Sequence, residues 1–125
     1  MSLLKPDVQK LISDWIDSVE AAEILLLLRR SPDAYWTSDA VSQQLGMQSQ
    51  LASAKLRGLA EHRLLLVGGD TGAYRYAPRD AETRQAVDNL ATAYANLRIH
   101  VINTIYSANL ERLRAFSDAF RLKNE

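Results

Sequence analysis

The chain has 125 residues, 47% hydrophobic and 24% charged, which is the length of one domain and a composition that fills a core without invoking disorder. Its 15 basic residues are balanced by 15 acidic ones, arguing against a non-specific nucleic-acid coat that works by bulk charge. With no cysteine there is no disulfide framework and no thiolate zinc site, and the longest aliphatic run, Ile24 to Leu28, is far short of the roughly 20 residues of a membrane span.

The opening Met1 to Pro6 lacks the apolar core of a signal peptide, so the cytoplasm is the expected location and no membrane partner is expected. Val8, Leu11, Ile12, Trp15 and Ile16 make a one-sided N-terminal helix, assigned to residues 1–16. Asp17-Ser18-Val19-Glu20 reads as a capping box, with Asp17 as N-cap and Glu20 reaching back, before a helix Val19 to Arg30 that Ser31-Pro32 ends. Tyr35-Trp36-Thr37 fits a short strand. Ser38 is placed to cap a helix Asp39 to Leu45, with the Asp39 charge favoured by the helix dipole.

Gly46 follows that helix where the backbone must stop and turn through positive φ. A second helix is expected from Ser49, as N-cap, to His62. Leu51, Ala52, Leu56, Leu59 and Ala60 form its buried stripe and leave Gln48, Gln50, Ser53, Ala54 and Arg57 outside. Leu64 to Val67 and Ala73 to Ala77 then read as two strands around the turn Gly68 to Gly72, with Pro78 ending the second. The period of two puts Tyr74 and Tyr76 on one face and Arg75 on the other, as a phosphate contact or as a solvated strand residue.

Across Leu45 to Leu65, without a gap, this pattern resembles the winged helix-turn-helix proteins, chiefly bacterial transcription regulators. The resemblance implies a mainly α fold with a small β-hairpin wing, the domain spanning 17–78 and carrying extra N- and C-terminal helices. It implies double-stranded DNA as partner, met by Gln48, Ser49, Gln50, Ser53, Lys55 and Arg57 of the recognition helix in the major groove and by Thr71 and Arg75 of the wing on the backbone. Two positions depart from the family's pattern: Arg63 stands where relatives commonly carry glycine, which would force it into a left-handed conformation, and Ala54 stands where a polar side chain is usual. From Ser38 to Arg79 five basic residues face three acidic ones, a small positive excess where DNA would lie. A protein-interaction adaptor using the same face is the alternative.

Residues 79–125 contain no glycine or proline beyond Arg79 and read as a helical extension. Val87, Leu90, Tyr94, Leu97 and Val101 recur at spacings of three and four, a seam that serves a homodimer, as the resemblance implies, or folds back on its own domain. Ile99, Ile102, Ile105 and Tyr106 widen it. A break is expected near Ser107-Ala108-Asn109, before Leu110, Leu113, Phe116 and Phe120 restart the pattern.

Asn96, His100, Asn103 and Ser107 form a polar line that is either a solvated face or the lining of a small-molecule effector site. Neither histidine has a metal-ligand partner at helical spacing, and no nucleophile elbow or phosphate loop is present, so an enzyme, a cofactor and a metal are not expected.

Overall fold

The computed structural model describes residues 3–123, with side chains up to residue 119, so the expectation for Phe120 lies outside the described residues. Six helices and one hairpin follow in chain order: α1 Pro6–Trp15, α2 Val19–Arg30, α3 Ser38–Leu45, α4 Ser49–Glu61, β1 Leu65–Gly68, β2 Ala73–Tyr76, α5 Ala81–Asn96 and α6 Arg98–Lys123. The fold is thus mainly α with a two-stranded antiparallel sheet.

Helix α2 is the centre. Ala21, Ala22 and every residue from Ile24 to Leu28 are buried, and a helix apolar on all sides must be enclosed on all sides. Val41 of α3, Leu56 and Leu59 of α4, and Leu65 and Tyr76 of the hairpin share its core with Val8, Leu11 and Ile12 of α1 and Val87 and Leu90 of α5. Across the edge of that core Arg29 Nε meets Asp88 Oδ1 at 2.9 Å and ties α2 to α5.

The caps lie one residue away from their expected places. Ser18, not Asp17, caps α2 by accepting from the Ala21 N–H, and Thr37, not Ser38, caps α3 by accepting from the Ala40 N–H. Gln48 is the N-cap of α4, while Ser49 is its first residue and donates to Asp39 at 2.6 Å. In each case the residue expected as cap is flanked by another capping or polar residue, and extended backbone dihedrals select which one stands outside the helix. Leu51, expected in the stripe, is 36% exposed.

Gly46 has φ 69°, which lets the chain turn between α3 and α4, and the Ser42 hydroxyl donates to the Met47 carbonyl across that turn. Arg63 also adopts the left-handed region, at φ 61°. Its N–H reaches the Ala60 carbonyl and the Leu64 N–H reaches the Leu59 carbonyl, a Schellman closure of α4 with Leu59 and Leu64 both buried beneath it.

In the hairpin Leu65 pairs with Tyr76 and Gly68 with Ala73. The expected strand before α3 is reduced to Trp36, whose N–H and C=O both bond Tyr74.

The C-terminal helices depart most from expectation. There is no break at Ser107 to Asn109, because α6 runs unbroken through 26 residues; the interruption is at Leu97, with φ −134°. Asp80 caps α5, and hydrogen bonding from Thr83, first its side chain and then its backbone N–H, holds the Asp80 carboxyl below the usual carboxylate range. The seam expected to form a dimer is closed within the chain: Val87, Leu90 and Val101 have no exposed surface, and Tyr94 and Leu97 pack half-buried against the same core. Intramolecular packing onto α1 satisfies the periodicity. Asn89 Nδ2 donates to Asp7 Oδ2 at 2.7 Å, and the Arg112 guanidinium donates to the carbonyls of Ile12 and Ser13 at the end of α1, where unpaired carbonyls and the helix dipole favour a cation.

Two consequences are measurable. A left-handed non-glycine residue costs on the order of 1 kcal/mol, partly offset in Arg63→Gly by the freer unfolded chain, so that variant is expected to gain about 0.5 kcal/mol and melt a few degrees higher, whereas Arg63→Val melts lower. Burial pushes the Tyr76 phenol up to about 12, with Asp88 adding to the shift, and its hydroxyl is buried without a hydrogen-bond partner among the described residues. A folded pKa above the unfolded value of 10.0 gives stability that is fully present below pH 10 and lost as pH rises through about 12. Tyr76→Phe therefore leaves neutral stability unchanged or higher and makes the alkaline decline in chemical denaturation shallower.

Candidate nucleic-acid interface

The outward surface of α4 follows from what its inner face must bury. Ala52, Leu56 and Leu59 point into the core, so a helical period of 3.6 turns Gln50, Ala54, Arg57 and Glu61 outward, all exposed, with Ser53 half-buried beside them. Gln48 is exposed at the N-terminus, next to Ser49, whose hydroxyl is engaged by Asp39 of α3. Arg57 makes no ion pair among the described residues, leaving its guanidinium available to a partner.

Lys55 is not part of this surface. One position out of phase with the outward row, its ammonium pairs with Asp17 Oδ1 at 3.2 Å, and its side chain is 22% exposed. Before α2 begins, Asp17 is thus an ion-pair partner of α4 rather than a cap.

The hairpin tip carries a short 3-10 turn, Gly69–Thr71, closed by Gly72 at φ 65°. Thr71 is exposed, and its Oγ1 accepts from the Ala73 N–H at 3.4 Å. Arg75 is half-buried. Its Nε donates to the Tyr35 hydroxyl at 3.2 Å and its guanidinium lies 5.8 Å from the centre of that ring. The Tyr35 ring in turn lies on β1 at Gly68, where an added Cβ would sit 2.2 Å from Cε1. Tyr35 is therefore the residue that the sequence reading missed. The available signal was a glycine inside a strand, which often marks a close approach by another group.

Trp15 of α1 packs at the C-terminal end of α4. Its ring stacks on His62 at 6.1 Å, and the Arg79 guanidinium lies 4.3 Å above it.

The polar line from Asn96 to Ser107 does not enclose a cavity. All four residues are exposed; Asn96 lines a groove of about 140 Å³ with Asn89 and Thr92, but His100, Asn103 and Ser107 do not. Among the described residues no three histidine, cysteine, aspartate or glutamate side chains gather as a metal site, and no helix is long and apolar enough to cross a membrane. Compared with protein-family models, curated proteins and solved structures, the chain gives no match.

The Tyr35 lock has a direct test. Gly68→Ala is expected to push the ring off the strand and release Arg75, at a cost of roughly 1 kcal/mol from overpacking an otherwise exposed ring. Aromatic NMR shifts of Tyr35 report the displacement, and Tyr35→Ala in the Gly68→Ala background should restore the lost stability only in part.

Proposed function

We propose that this chain is a winged helix-turn-helix regulator of transcription that binds duplex DNA, in the cytoplasm and as a homodimer. The observation that carries the reading is the sequence of elements from α2 to β2: a helix, a one-residue bridge at Trp36, α3, a left-handed turn at Gly46, α4, and a hairpin on which the bridge pairs. Such an arrangement supports α4 as a recognition helix, because the core holds its inner face while Gln50 and Arg57 stand exposed on its outer one, with Ser53 half-buried beside them. Glutamine suits adenine and arginine suits guanine in the major groove, while Gln48 at the helix N-terminus suits a phosphate. Thr71 and the hairpin tip would meet the backbone. Arg75, braced by Tyr35, would present a fixed cation beside them rather than a freely moving one.

A specific observation favours a second reading, a protein-interaction adaptor. Lys55 is paired with Asp17, Ala54 is apolar and Glu61 is acidic, so Arg57 is the one uncommitted cation of the outward row among the described residues. A partner protein makes less demand on positive charge than a phosphate backbone does.

The two readings separate in a gel-shift and fluorescence-anisotropy experiment on selected duplexes at several salt concentrations. Arg57→Ala is expected to weaken specific binding by about 1 to 3 kcal/mol, roughly 5- to 150-fold, with a shallower salt dependence. Lys55→Ala should lower stability by less than about 1 kcal/mol, in the range of exposed ion pairs, and leave affinity near the wild-type value. Absence of binding to any duplex pool at low salt overturns the DNA reading in favour of the adaptor.

A further inference from the structure

The hairpin has one open side. Trp36 and Tyr74 exchange both of their backbone hydrogen bonds, so the N–H and C=O of Tyr74 point away from β1, and its cross-strand pair with Val67 is a non-bonded one. The Ala77 N–H on the Leu64 carbonyl at 3.1 Å fits the same alternation. The N–H and C=O of Val67 therefore point away from β2, and the period of two turns those of Leu65 the same way. Among the described residues no hydrogen bond reaches these groups.

Strand β1 is thus an unpaired edge, and it lacks the devices that usually protect one. Its sequence from Leu65 to Gly68 contains no charge and no proline, and Leu66 and Val67, on opposite faces, are 45% and 50% exposed. A groove of about 530 Å³ opens beside it. Leu65, Leu66, Val67 and Ala77 give that groove an apolar lining, and its charged residues are Arg63 and Arg79, with no carboxylate beside them in the lining. Arg63 is exposed and makes no ion pair among the described residues. Arg79 lies on the Trp15 ring with the Asp80 carboxylate 3.9 Å away, beyond hydrogen-bond reach.

We propose that β1 takes up an extended acidic peptide segment of a partner protein as a third strand. Its backbone pairs with Leu65 and Val67, its apolar side chains lie beside Leu66 and Val67, and its carboxylates meet Arg63 and Arg79. In such strand addition the main-chain bonds give affinity and the side chains give selection. The surface is separate from the outer row of α4, so the proposal goes beyond the regulator reading and stands under either reading of that row.

Charge selects the occupant. A second copy of β1 would bring its own Arg63 and Arg79 against these two, like charge on like. The last residues of this chain, Phe120 to Glu125, carry Arg121 and Lys123 beside Glu125 and so offer no acidic excess. A phosphate backbone has the right sign, but it has neither apolar side chains for Leu66 and Val67 nor a row of N–H and C=O groups to pair with the edge. An acidic strand supplies all three.

Nuclear magnetic resonance on the full isotope-labelled chain tests this, with a short capped peptide that alternates valine with glutamate as the probe. In the free chain the Leu65 and Val67 amides are expected to exchange rapidly with solvent; the peptide shifts both and slows their exchange, saturably and less at high salt. The same peptide with lysine in place of glutamate should bind at least about 10-fold more weakly, since attraction at two arginines becomes repulsion. Val67→Pro removes an outward N–H but no bond between β1 and β2, and should weaken the glutamate peptide about 10-fold. Arg63→Gly, which also relieves the left-handed backbone, should weaken it about 2- to 5-fold. The Trp36 and Tyr74 amide shifts report that the hairpin stays folded; if the proline variant loses it, the lysine peptide and Arg63→Gly decide.

Absence of any shift at β1 up to about 1 mM peptide overturns the proposal. So does equal binding of the lysine peptide, or an unchanged affinity in Val67→Pro with the hairpin intact. Leu65 and Val67 amides already protected in the free chain overturn it in favour of a second copy if the chain sediments as a dimer, and of the chain's own terminal residues if it sediments as a monomer. A duplex that shifts these amides where the peptide does not overturns it in favour of a phosphate backbone. Loss of duplex binding with the peptide shifts retained removes the regulator reading and leaves the strand site standing.

Discussion

The structure depends on the enclosure of α2. A helix with five consecutive buried residues, Ile24 to Leu28, has no side that can face water, and leaving one open would expose several large side chains at about 1.5 to 3 kcal/mol each. Its covering layers come from both ends of the chain. Helices α3 and α4 and the hairpin come from the segment that follows it, while α1 and α5, from the two ends of the chain, share the same core. The N- and C-terminal helices are therefore structural parts of the central domain and not appendages hung on it. Arg29 of the last turn, which favours a cation near the helix C-terminus, extends this enclosure to the surface by pairing with Asp88 of α5.

Elements that rest on strong local signals were legible in the sequence. The apolar run of α2, the glycine turn after α3 and the glycine-rich turn between two short apolar strands each carry their own chemistry, and each appears within a residue or two of its expected limits. Arg63 was legible only through the resemblance, which puts glycine at that position; the residue itself carries no local signal for the positive φ it adopts. The caps were less so. Asp17-Ser18 and Thr37-Ser38 both offer two side chains able to accept from the helix, and the choice depends on which backbone is still extended, which no side-chain preference fixes.

The candidate interface was half legible for a different reason. Whether a residue points outward follows from period alone, and Gln50, Ser53 and Arg57 are placed correctly by it. What a charged residue is doing there is set by partners distant in sequence. Lys55 meets Asp17 and Arg75 meets Tyr35, each pair close to 40 residues apart, and no local pattern encodes either meeting. Composition over the segment counted Lys55 and Arg75 alike as free positive charge, whereas the Asp17 carboxylate offsets Lys55 and the neutral Tyr35 phenol leaves the charge of Arg75 in place. Under the proposed DNA reading the first leaves fewer counterions to release, and the second leaves Arg75 with less ordering entropy to lose.

The C-terminal helices show why periodicity identifies an apolar stripe but not its partner. Val87, Leu90, Tyr94, Leu97 and Val101 keep their three-and-four spacing straight through the interruption at Leu97, because α5 and α6 both lie against α1 and inherit the pattern from that common neighbour. A second stripe, offset by a fraction of a turn, begins at Ile99 and overlaps the first in sequence, so the two read as one broad seam. They are separated in space by Asn109 and Arg112, whose bonds to the carbonyls of Asp17, Ile12 and Ser13 fix the rotation of α6 about its axis. Once that rotation is fixed, Val101 and Ile105 must face the core and Tyr106, Leu110 and Leu113 cannot. Polar side chains that grip backbone carbonyls thus decide which apolar residues belong to the chain's own interior and which stay at its surface.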